Sequence, residues 1–183
     1  MIPSTEAVVL FLQTLAVPLI LLLFYLDGMV IGKITPPAAL YVVYVVLVDP
    51  STTVLFAVAV LSVLAATLGQ FTLYRGFNER SPEFIGIRRR VPHVDRIPFL
   101  VRDRVGDRRM RFINRLLDRF GGVAIAVTNT VPGIRSLMSI PAGLSQYPRR
   151  RFLFFSVLGN GIYVIVLTAV GRGLLDLAAY LPW

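Results

Sequence analysis

The sequence predicts an all-α integral membrane protein. Its expected parts are three long spanning helices, two opposed re-entrant hairpins forming an inverted repeat, and a cytoplasmic amphipathic helix. Three observations predict this. Of 183 residues, 56% are apolar and only 16% charged, against about 25% charged in an ordinary soluble chain. The charge is segregated: residues 75–119 hold 13 Arg and 6 acids, with long uncharged stretches on either side. Finally, two of the apolar stretches are broken by Pro and Gly, and irregular backbone survives at membrane depth only where protein or a water-filled cavity covers it.

Residues 1–183 read as a single membrane domain. Ala7 to Leu26 is apolar except for Gln13, Thr14 and Pro18, and about 20 residues suffice to span a bilayer core. A cleaved signal peptide would want a positive start, whereas the first 32 residues contain no Lys or Arg. We therefore expect a retained span over 7–26. Residues 28–50 follow as the first hairpin. Its apolar run, Ala38 to Val48, is too short to cross and stands between Pro36-Pro37 and Asp49-Pro50. A second span covers 51–74, and residues 75–103 form a basic loop in which His93 is a loop residue.

Over 104–120 an apolar face (Val105, Phe112, Ile113, Leu116, Leu117, Phe120) runs beside an Arg stripe that includes Arg108, Arg111 and Arg115. That pattern suits a helix lying on anionic lipid head groups. Residues 121–147 form the second hairpin, because Arg119 precedes them and Arg149-Arg150-Arg151 follow, and basic flanks favour the cytoplasmic side. A last span covers 152–171, closed by Arg172 and Asp176. By the same rule 75–119 and 149–151 are cytoplasmic, the first span starts inside, and one hairpin enters from each face. Pro50 to Phe56 and Pro148 to Phe154 share the pattern Pro, three polar, apolar, Leu, Phe, as expected of an inverted repeat.

The net charge of +9 comes almost wholly from Arg, since Lys33 is the single Lys. A basic block set between apolar spans points to lipid phosphates rather than nucleic acid. With no Cys and one loop His, thiolate chemistry, His-rich metal sites and phosphatase or transferase constellations are excluded, and Ser136, Ser139 and Ser156 lack an activating base. No enzyme activity and no cofactor are expected. Arg135 is the most informative residue: a charge inside an apolar segment is functional by default. Beside it Pro132-Gly133 break the helix and free backbone N–H groups, a natural cradle for phosphate. The alternative is an Arg that snorkels to the interface. Asp27 ends the first span and could pair with Arg135, exchange a proton, or be an ordinary interfacial acid. Gln70, Asn129 and Asn160 are membrane amides, which often only bond a neighbouring helix.

At 121–163 the chain resembles the DedA family, part of the wider SNARE-associated Golgi protein superfamily. The residues are Gly121-Gly122, Asn129-Thr130-Val131-Pro132-Gly133-Ile134-Arg135, Ile140-Pro141-Ala142-Gly143-Leu144 and Arg151-Phe152. In the first half Asp27, Pro36-Pro37, and Leu68-Gly69-Gln70 with Tyr74 line up with further family signals. The resemblance implies two opposed re-entrant hairpins and transport of phospholipids or polyprenyl phosphates, in some members coupled to protons. It places a substrate site at Arg135, Asn129, Pro132 and Gly133, coupling or pairing at Asp27 and Gln70, and hairpin hinges at Pro36, Pro37, Pro141 and Gly143. Three family charges are replaced here, by Asn129, Ala39 and Gln70.

The expected function is a lipid transporter of flippase or scramblase type in a prokaryotic cytoplasmic membrane. It would move a polyprenyl phosphate or a phospholipid head group, with protons or another ion as candidate coupling partners, in a chain that could form homo-oligomers. A non-transporting organising protein and a small-anion transporter are the rival readings.

Overall fold

The computed structural model describes residues 5–29, 37–78, 115, 119–131 and 134–180, with side chains from Leu15 onward in the first helix and at most positions elsewhere. Among them there is no strand. The helices are α1 (Thr5–Gly28), α2 (Pro37–Val48), α3 (Thr52–Phe77), α4 (Gly122–Thr130), α5 (Ser139–Leu144) and α6 (Arg149–Tyr180).

Local chemistry sets most boundaries. Pro37 opens α2, where a missing N–H costs nothing. Asp49 then turns left-handed (φ 42°) and Pro50 blocks continuation. Val131 is extended (φ −100°, ψ 118°), as the residue before a proline should be, and α4 stops there. The α5 end is a Schellman turn: the Tyr147 N–H donates to the Ala142 carbonyl at 2.9 Å and that of Gln146 to Gly143 at 3.0 Å. Gln146 carries the left-handed φ of 55° that this turn normally assigns to Gly.

The long helices α3 and α6 are apolar and long enough to cross a membrane. They lie antiparallel. Tyr74 near the end of α3 stacks on Phe152 near the start of α6, ring centroids 4.5 Å apart, while Arg172 of α6 donates to the Pro50 carbonyl just before α3 and pairs with Asp49. The other helices sit on this pair in a repeating pattern. In each half the first helix packs on its own long helix, α1 on α3 and α4 on α6. The following short helix packs on the other half's long helix, α2 on α6 and α5 on α3.

Two glycines fix the first kind of contact. A Cβ on Gly69 would strike the Tyr25 carbonyl, and one on Gly159 would strike the Ala126 carbonyl. Backbones touch there, and only Gly fits. These equivalent contacts pair Leu68-Gly69-Gln70 with Leu158-Gly159-Asn160. That is a different frame from the expected match of Pro50–Phe56 with Pro148–Phe154, which aligned helix starts rather than helix contacts.

Several expected boundaries change. The chain expected to span at 7–26 is helical throughout, but α1 runs in the same direction as α3. Ile20 and Phe24 join the cluster of Tyr41, Tyr44, Leu55 and Val58 near the start of α3, whereas Gly28 reaches Gly69. At about 1.5 Å per residue, Gly69 lies about 26 Å along α3 from its start. The ends of 28–50 are therefore at different heights along α3, and α1 pairs with α2 as one antiparallel unit. Residues 30–36, including Pro36, lie outside the described residues. Helix α3 continues past residue 74 to Phe77, and α6 passes Arg172 and Asp176 without stopping, because neither residue breaks a helix.

The segment 121–147 divides into α4, turns over 134–138 and α5. Its ends meet, since a Cβ on Gly122 would lie 2.8 Å from Tyr147 Oη, and the Tyr74 hydroxyl donates to the Tyr147 carbonyl at 2.5 Å. Pro141 and Gly143, expected as hinges, are both buried inside α5. Pro141 falls in the first turn, where Pro is tolerated. Gly143 is a contact residue: its Cβ would meet the Tyr74 carbonyl at 2.7 Å. Of the expected helix over 104–120, Arg115, Arg119 and Phe120 are described, all exposed and helical. Arg108 and Arg111 lie outside the described residues.

The burial pattern is turned around from that of a soluble protein. Large apolar side chains face outward, Phe56 and Leu47 at 71% exposure and Ile165 at 68%, while Ser62, Thr67, Gln70, Asn129, Arg135, Ser156 and Asn160 are buried.

Candidate functional site

The polar residues collect where the two helical units meet. Gln70 is the hub. Its Nε2 donates to Asn129 Oδ1 at 3.0 Å and to the Arg135 carbonyl at 3.4 Å. Its Oε1 accepts from Asn129 Nδ2 at 3.2 Å and from Asn160 Nδ2 at 3.2 Å. Asn160 Nδ2 also donates to Thr67 Oγ1 at 3.0 Å. One amide from α3, one from α4 and one from α6 thus satisfy each other, as buried polar groups must. The Gly159 contact, next to Asn160, brings Asn129 of α4 against α6, and the Gly69 contact, next to Gln70, brings the end of α1 against α3.

Arg135 lies in the turns between α4 and α5 and is 3% exposed. Its Nη2 donates to Asn160 Oδ1 at 3.3 Å. Its Nε lies 3.2 Å from Asp27 Oδ2 near the end of α1, an ion pair without hydrogen-bond alignment, so both atoms lack a hydrogen-bond partner, as does Nη1. The guanidinium also rests on aromatic faces, its carbon 4.3 Å from the Tyr163 centroid and 5.5 Å from that of Phe24, within cation–π range. Burying a cation costs several kcal/mol on an order-of-magnitude scale unless it is paired and hydrogen-bonded. Arg135 is paired but only partly bonded, since Nε and Nη1 have no hydrogen-bond acceptor.

Of the expected site residues, Arg135, Asp27, Gln70 and Asn129 come together. Asn129 meets Gln70 rather than the guanidinium. Pro132 and Gly133 lie outside the described residues, and Ala39 is exposed on α2. Thr67, Asn160, Tyr163 and Phe24 are additions. The signal that could have found Asn160 is the repeated Leu-Gly-amide triplet, since Gln70 was already a candidate. Nothing local in the sequence marks Phe24 or Tyr163. Among the described residues no group of three His, Cys, Asp or Glu could hold a metal. Comparison with protein-family models, curated proteins and solved structures found no match for this chain. The fold and site define a helical bundle with an apolar exterior and a buried, charge-paired polar centre.

Proposed function

We propose that this chain is a membrane protein that carries the phosphate head group of a lipid across the bilayer, as a flippase or scramblase does, with Arg135 as the anion-binding group. The observation that carries the reading is the buried guanidinium with unused donors, held inside a bundle whose outer surface suits lipid. Two further features support it. The α1–α2 and α4–α5 units approach the α3–α6 pair from opposite ends, as two re-entrant hairpins would, and Asp27 and Arg135 lie near their meeting point. Such an arrangement lets access alternate about a central site. Anion entry would displace Asp27, whose side chain is 20% exposed and so has an open side to turn toward. A relation to DedA proteins and residence in a prokaryotic cytoplasmic membrane belong to the same reading.

The test is translocation of fluorescent phospholipid in reconstituted vesicles. Arg135→Ala is expected to lose at least about tenfold in rate, and Arg135→Lys to keep part of it, because Lys retains the charge without the planar fork. Full activity in Arg135→Ala refutes the reading. The stacking of Arg135 on Tyr163 and Phe24 favours one alternative, a non-transporting scaffold in which the Arg is structural. In that case Arg135→Ala lowers stability in detergent and translocation is absent from the parent as well.

A further inference from the structure

We infer that the central site accepts a phosphate carrying one negative charge and excludes the dianion. Its ligands are then phosphodiester head groups, or a terminal phosphomonoester only while it keeps its second proton. This rests on the reading that the centre binds lipid phosphate and narrows it to a class of head group.

The argument is one of charge and donor count. Among the described residues at the centre, the charged groups are Arg135 and Asp27. Everything else there is neutral: Thr67, Gln70, Asn129, Asn160 and the Tyr163 and Phe24 rings. The pair is balanced as it stands. A singly charged phosphate can replace Asp27 opposite the guanidinium and leave the buried balance unchanged, provided Asp27 turns to its exposed side or takes up a proton. A doubly charged phosphate leaves one negative charge with no cation among the described residues, and an uncompensated charge in a low-dielectric interior is strongly disfavoured.

The amides do not make up the deficit. Both N–H bonds of Gln70 are committed, to Asn129 Oδ1 and the Arg135 carbonyl. Both of Asn160 are committed, to Thr67 Oγ1 and Gln70 Oε1. Asn129 has already given one N–H to Gln70 Oε1. Among the described residues the donors left for an anion are chiefly the N–H groups of Arg135 Nη1 and Nε. They belong to a single guanidinium, which offsets one negative charge of a phosphate.

The experiment compares two short-chain fluorescent lipids in vesicles holding the parent protein, phosphatidylglycerol as the diester and phosphatidic acid as the monoester, each followed by albumin back-extraction at pH 5 and pH 8. Taking the monoester/diester rate ratio at each pH removes the protein's own titration. A phosphomonoester has its second pKa at about 6, so its monoanion fraction falls from about 0.9 to about 0.01 between these pH values. The ratio is therefore expected to drop by up to about ninetyfold, with phosphatidylglycerol still moved at pH 8. A ratio that holds or rises at pH 8 overturns the inference and leaves lipid transport standing. Movement of neither lipid at either pH overturns transport itself.

Discussion

Gly159→Ala tests the contact that places Asn129 and Asn160 together, and Gly161→Ala is its control on the same helix. A Cβ at position 159 would strike the Ala126 carbonyl and lie 2.7 Å from Asn129 Cβ. Carbon atoms settle at about 3.5–4.0 Å, so α4 must retreat by about 1 Å. The Gln70–Asn129 hydrogen bonds are 3.0 and 3.2 Å long, and such a shift takes them beyond useful range. Overpacking costs about 1–3 kcal/mol and losing the two buried hydrogen bonds about 2 kcal/mol more. Exchanging Gly for Ala within a helix returns about 0.5–1 kcal/mol, leaving Gly159→Ala destabilised by about 2–4 kcal/mol. At Gly161 nothing lies within 4 Å of a Cβ, so Gly161→Ala is expected to be neutral or to gain up to about 1 kcal/mol. The chain has no Cys, so a Ser139→Cys reporter, buried in the parent, can follow unfolding by thiol labelling across an SDS titration in mixed micelles. Coincident midpoints for the two variants would refute the close α4–α6 contact.

Two other expectations follow from the backbone and the helix order. Gln146→Gly should raise stability by roughly 1 kcal/mol, because a left-handed residue other than Gly carries about that strain; an unchanged or lower SDS midpoint counts against the Schellman turn. Single Cys residues at Val123 and Ser145, both exposed, should label from the same face of oriented vesicles, and a Cys at Ser51 from the opposite face. Labelling of Val123 and Ser145 from different faces removes the hairpin reading of 121–147.

The sequence by itself determined that the chain is helical, where its two longest helices lie, and that Arg135 deserved notice. Those features are local. Uninterrupted apolar runs define α3 and α6, Pro37, Pro50 and Pro132 set ends, and a lone Arg in an apolar segment stands out against its neighbours. The direction of α1 was not legible. A helix that is apolar all round carries no stripe to say which face meets protein, and here the outward face is as apolar as the inward one. The roles of Asn129, Gln70 and Asn160 were not legible either, because an amide reads alike whether it bonds one neighbour or ties three helices together. Only the tertiary structure brings Gln70 within 3.2 Å of Asn160, residues that lie 90 apart in sequence. Around that pair Gly69 lets the end of α1 touch α3 and Gly159 lets α4 touch α6, which adds Asp27 and Asn129 to the same centre. That close packing also decided that Gly143 is a contact rather than a hinge, and that Arg135 rests on Phe24 and Tyr163 with Asp27 as its counter-charge.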